Sequence, residues 1–304
     1  MSLPETAVYF TTVAIQSPGR AIIAGHLFAE ASDPTVTRVY ICDAGDWSFA
    51  YDVNDVVYAT ATIPTGQERR AVALLGRQGL FRENAPGKKP KDTAIRAYDD
   101  SYWMDLRLIG SSLYACGIQN QVVRRSGNTW VAVDQGIAEP LDDEVTATLQ
   151  SIDGFGENDI YAVGDGGVIW HWNGKKWQSL ESPTNLPLYA VKCASDGRVY
   201  VGGSGGTLLM GHAQTAWADL SDPAVCDDVF ESIVEFKGQV YLTATDKLIS
   251  AQGTSLIEVS PKVRGTKVFY AGDASDESMW MVGDQSVLRF DGKKWHRYEC
   301  PDNV

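Results

Sequence analysis

Histidine is scarce in this chain of 304 residues, closely paired cysteines are missing, and basic residues are outnumbered. The four histidines, His26, His171, His212 and His296, show no metal-ligand spacing. His171 alternates with Trp170 and Trp172, as a histidine satisfied between packed layers does. The five cysteines, Cys42, Cys116, Cys193, Cys226 and Cys300, are odd in number and include no C-x-x-C pair. That argues against a zinc site and a disulfide framework, and free thiols in a cytoplasmic protein account for them. No stretch approaches the roughly 20 apolar residues of a membrane span, and no basic leader precedes an apolar run at the N-terminus. Lys and Arg number 26 against 39 Asp and Glu, a net charge of −13. Nucleic acid and anionic membranes are therefore poor partners, since phosphate binding needs clustered cations. A basic protein partner is permitted, while solubility alone also accounts for the acidity.

What the chain does have is repetition. Seven segments spell nearly one word, among them Ala21-Ile22-Ile23-Ala24-Gly25, Ile160-Tyr161-Ala162-Val163-Gly164 and Met279-Trp280-Met281-Val282-Gly283. Their last positions lie 51, 41, 47, 39, 41 and 39 residues apart. Strand-like words at a period near 40 predict an all-β fold, a single β-propeller of seven blades with four antiparallel strands each. One domain covers 1–304, with blades over about 7–53, 54–98, 101–137, 143–182, 187–221, 226–260 and 265–299. In blade 4 the pair Asn173-Gly174 marks a hairpin, because both positions accept φ > 0. Trp47, Trp130, Trp177, Trp217 and Trp295 recur where outer strands begin and are read as wedges between blades. Blade 6 carries Ala244 in place of the glycine, and blade 2 has Pro90 in place of the tryptophan.

The stretch from Ile160 to Trp177 resembles the repeat of a broad bacterial propeller group that reads A-V-G-x-x-G-x-I-x-H-W-[DN]-G-x-x-W. Blades 4 and 7 match it well, blades 3 and 5 partly, and blades 1, 2 and 6 weakly. The resemblance implies the propeller fold and brings no catalytic residues with it.

Signals for chemistry are weak. The Trp-Asp dipeptide of WD-type repeats and the Asp-box of sialidase-type propellers are both missing, as are a G-x-S-x-G elbow and a phosphate-binding glycine loop. No catalytic residue, cofactor or metal is expected. One polar feature does repeat: carboxylates gather just before the innermost strands. They are Asp52 and Asp55, Asp99 and Asp100, Asp142, Asp143 and Glu144, and Asp227 and Asp228. In a propeller these connections surface together around one mouth of the central channel. Asp is also an ordinary turn residue. The expectation is a non-catalytic, protein-binding propeller whose acidic ring (Asp55, Asp99, Asp100, Asp142, Asp143, Glu144, Asp227, Asp228) meets a basic partner. A concrete version is an acidic immunity protein that neutralises a basic toxin. The rivals are a metal-dependent or glycan-directed hydrolase at the channel mouth and an assembly scaffold.

Overall fold

The repeated word is buried on both faces: Ile160–Gly164 is closed to solvent throughout. A strand without a wet face must lie between two layers, so each sheet needs a neighbour on either side. The computed structural model describes residues 7–30, 34–137, 147–265 and 268–304. These form seven four-stranded sheets, each made of four consecutive strands paired in chain order. All pairings are antiparallel. The blades span 8–53, 57–94, 103–132, 149–180, 188–219, 232–259 and 271–297. Helix among the described residues is confined to short 3₁₀ turns such as Pro301–Asn303.

The core lies between blades. One apolar cluster joins Ala59, Leu75 and Phe81 of blade 2 to Leu106, Ala115 and Val123 of blade 3. The tryptophans wedge as expected. Trp130 packs on Phe81 of the preceding blade, ring centres 5.2 Å apart. Trp177 is 7% exposed, and its indole N–H donates to the Val133 carbonyl at 2.7 Å. All five cysteines are free and buried, and burial pushes the Cys42 and Cys300 thiols up to about 11.

The glycine that ends the word has a specific cause. In five blades the innermost strand begins with a one-residue bulge, at Thr11, Tyr58, Met104, Gln150 and Tyr189. The glycine lies opposite the residue just before the bulge, as Gly164 does opposite Leu149. There the incoming chain runs so close that a Cβ on Gly164 would sit 1.9 Å from the Thr148 carbonyl oxygen. Gly25 and Gly117 are equally tight, 2.0 Å from the carbonyls of Tyr9 and Tyr102. Blades 6 and 7 pair without a register shift: blade 6, with Ser232 opposite Thr243, accommodates Ala244, whereas a Cβ on Gly283 of blade 7 would still sit 2.7 Å from the Tyr270 nitrogen.

Among the described residues the circle closes without a shared strand. An apolar cluster joins Phe10 and Ile23 of blade 1 to Trp280 and Val282 of blade 7. The Phe10 N–H donates to the Asp284 carbonyl at 2.7 Å. The same clip joins other blades, Trp103 N–H to the Arg77 carbonyl and Phe230 N–H to that of Gly203. Asn303, in the last turn of the chain, accepts from the Val8 N–H at 2.7 Å and donates to the Val8 carbonyl at 3.2 Å.

Candidate functional site

Bulges aim side chains away from the sheet. Here Thr11, Tyr58, Met104, Gln150 and Tyr189 all line the central channel, which has a volume of about 1050 Å³. Glu231 and Tyr270 take the corresponding places just before the inner strands of blades 6 and 7 and line it too. Their N–H groups donate to the carbonyls of Thr243 and Val282. The result is a ring of seven side chains at one mouth, three tyrosines and four others. Tyrosine recurs in only three of the seven blades, too few for the sequence alone to reveal the ring.

Deeper in the channel, carboxylates stitch blades together. The channel-facing edge of an inner strand has N–H groups with no strand to pair with, and such groups need acceptors. Asp105 accepts from the Ile152 N–H at 3.1 Å and the Ser151 hydroxyl at 2.8 Å, both on the next blade. Asp153 accepts from the Cys193 N–H at 3.0 Å and Lys192 Nζ at 2.8 Å. Asp273 accepts from the Ile15 N–H at 2.8 Å, linking blade 7 to blade 1. Burial works against ionisation of Asp153, but Lys192, Arg107 and the Cys193 N–H outweigh it and hold the carboxyl below its usual range. For Asp273 burial wins, and its carboxyl is raised. Arg107, 3.4 Å from Asp105, is held charged chiefly by that carboxylate. These acids are occupied as anchors, which leaves them poorly placed as acid–base catalysts. No three of His, Cys, Asp and Glu converge to hold a metal ion among the described residues.

The acidic ring read from the sequence divides in the structure. Asp99, Asp100 and Asp227 are exposed. Asp100 lies beside the blade 3 turn, its carbonyl accepting from Gln121 Nε2 at 3.1 Å. Asp228 is half-buried; its carboxylate caps the Val229 N–H at 2.8 Å and is lowered by that bond and by Thr245. Asp52 is engaged by Arg38 at 3.2 Å. Asp142, Asp143 and Glu144 lie outside the described residues. Asp55 must be withdrawn from the ring. It is 4% exposed, and its carboxylate accepts from the N–H groups of Val56 (2.7 Å), Gln78 (3.1 Å) and Leu80 (3.2 Å). Its turn folds back onto the next blade, so no partner can reach it.

Aromatic side chains are exposed on the same face. Tyr9 stacks on Phe28 with ring centres 5.1 Å apart and on His26 at 6.0 Å. Arg77 sits between two rings, 6.0 Å from Tyr58 and 5.1 Å from Tyr102. Phe28, Tyr58 and Tyr102 are 40–42% exposed. Tyrosines and an arginine framed by carboxylates have the composition of a protein-binding surface.

No family model matches the chain. The immune protein Tsi7 of Pseudomonas aeruginosa is 32% identical over 284 residues, which cover 89% of this chain and 90% of that protein. Among solved structures, the WD40 β-propeller domain of Doa1 has a TM-score of 0.68 at 9% identity, covering 95% of this chain and 96% of that one. Virginiamycin B lyase from Staphylococcus aureus has a TM-score of 0.62 at 12% identity, covering 79% of this chain and 84% of that one. At such identities the two structures speak for the fold alone, and this fold hosts enzymes as well as binding proteins.

Proposed function

The chain belongs to the family of the immune protein Tsi7, and from that premise we propose that it is an immunity protein that binds and neutralises a basic toxin. One observation carries this reading: the likeness to an immune protein extends over 89% of the chain. The site geometry supports it. Exposed tyrosines and carboxylates share one face, while the channel acids are taken up by backbone N–H groups. The protein acts by occupying its partner, with no reaction of its own. Its surface carboxylates Asp99, Asp100 and Asp227 speed the encounter with a cationic protein. Five free, buried thiols fit a reducing compartment, and we place the protein in the cytoplasm.

The test is protection. Where a toxin is encoded beside this gene, cells that make it are expected to grow when the chain is co-expressed and to stop growing without it. The purified pair is expected to form a stable complex. If the chain neither protects against that toxin nor binds it, the reading fails.

A further inference from the structure

Among the described residues four arginines lie over aromatic rings, and three of them also hold a carboxylate. The guanidinium carbon of Arg38 lies 5.5 Å from the Phe49 ring centre, and its Nε is 3.2 Å from Asp52. Arg82 lies 4.4 Å from the Tyr51 ring and binds Asp92 through Nε and Nη2 together. Arg125 lies 4.7 Å from the Phe81 ring and reaches Glu83 at 2.7 Å. In each the ring carries the flat face of the guanidinium, and the carboxylate takes the N–H groups at its edge. Arg77 is the exception. It has two rings, Tyr58 at 6.0 Å and Tyr102 at 5.1 Å, yet its guanidinium has no ion pair and no hydrogen bond among the described residues.

The difference goes with place. Arg38, Arg82 and Arg125 stand in the third strands of blades 1, 2 and 3. Arg77 stands in the turn after the second strand of blade 2, on the mouth face, and its side chain is exposed. The main chain fixes it there: its N–H donates to the Val56 carbonyl and its carbonyl accepts from the Trp103 N–H, both at 2.9 Å. Tyr58 and Tyr102, one from each of two successive blades, flank the side chain and are themselves exposed. An arginine ordered before the encounter loses less freedom when it binds, and exposed Tyr and Arg together make the usual anchor of a protein interface.

We propose that Arg77, between Tyr58 and Tyr102, is the receptor for one aspartate or glutamate side chain of the partner protein, which supplies the carboxylate that the other three stacked arginines find within the fold. The proposal rests on the immunity function above, the partner being the toxin. A basic protein still carries carboxylates, and here one of them gains a task. The exposed acids Asp99, Asp100 and Asp227 attract a cationic surface in many orientations. Arg77 repels a cation and accepts an anion, and so selects the register in which the two proteins meet.

The experiment measures binding of the toxin used in the protection test to the parent, Arg77→Ala and Arg77→Glu. Both variants should melt within a few degrees of the parent, because the guanidinium bonds to nothing in the fold. Arg77→Ala is expected to bind at least about tenfold more weakly, mainly through faster dissociation, and Arg77→Glu more weakly still. A panel of toxin variants, each with one surface Asp or Glu changed to Lys, then finds the carboxylate. One member should bind the parent poorly and Arg77→Glu better, and its weak binding to the parent reads the site even if a substitution at position 77 disturbs the fold. Equal affinity of the parent and Arg77→Ala overturns the receptor and leaves the immunity function standing. A panel in which no member behaves in this way overturns the carboxylate as its guest, and the proposal with it. A toxin that fails to bind the parent overturns the immunity function, and the receptor falls with it.

Discussion

Asp55 and Asp99 occupy comparable places in the sequence, each just before an inner strand, yet one is spent inside the fold and the other faces water. Replacing Asp55 with Ala strands three N–H donors, those of Val56, Gln78 and Leu80. A loss of about 2–4 kcal/mol is expected in urea unfolding, since each buried orphan costs about 1–3 kcal/mol where water cannot reach it. Asp99→Ala should stay within about 0.5 kcal/mol of the parent. Asp153 gives a pH signature. Its carboxyl is lower in the folded protein than in the unfolded chain. The stability it contributes is therefore present above the unfolded value, about 3.9, and is lost as pH falls through the depressed folded one. Asp153→Asn should melt below the parent at pH 7, with the gap closing as the pH is brought down to 3; a constant gap would contradict the assignment. Asp273 has the opposite sign: its raised carboxyl makes ionisation cost stability as pH rises through the folded value. The sequence could not separate these roles. An aspartate before a strand reads the same whether its turn points outward or folds back onto a neighbouring N–H.

Among elements, the repeated word was legible because burial on both faces demands apolar residues and a close backbone approach demands glycine. The bulge that accompanies the close approach in five blades was not legible, because the inserted residue is Thr, Tyr, Met or Gln in different blades. Its presence makes a paired prediction. Gly164→Ala forces a methyl against the Thr148 carbonyl and should destabilise by about 1–3 kcal/mol or more, as overpacking does. Ala244→Gly relieves nothing in the unbulged blade 6 and should cost about 1 kcal/mol or less, through backbone entropy alone. Thermal melting of the two variants checks both values. If Gly164→Ala melts like the parent, the glycine has some other reason to be there. The wedge tryptophans were also readable, since one large residue recurring at one place in successive repeats has a common packing task. The stacks around Tyr9 and Arg77 left only a faint pattern: Tyr9 and Tyr102 hold one place in blades 1 and 3, facing the glycine, but Phe28, His26 and Arg77 have no counterpart of the same kind.

For the whole molecule, acidity sets the kinetics. With a net charge of −13, association with the basic toxin proposed above should be fast and should slow as salt rises. The Debye length shrinks from about 10 Å at 0.1 M to about 3 Å at 1 M, which removes long-range attraction. Reversing Asp99, Asp100 and Asp227 to Lys should lower the association rate and its salt dependence and leave melting within a few degrees of the parent. Stopped-flow mixing at several salt concentrations measures this, and an unchanged rate at low salt would mean that these carboxylates do not steer. Closure without a shared strand among the described residues also has a consequence in time. The Val8 N–H waits for Asn303, 295 residues further along the chain. At roughly 5–20 residues per second of synthesis, that is about 15–60 s. Until then blade 1 shows an open apolar flank, the side that Trp280 and Val282 will cover. Through that interval the newborn protein is an arc with an uncovered flank, free to meet its own far end or that of a neighbouring chain.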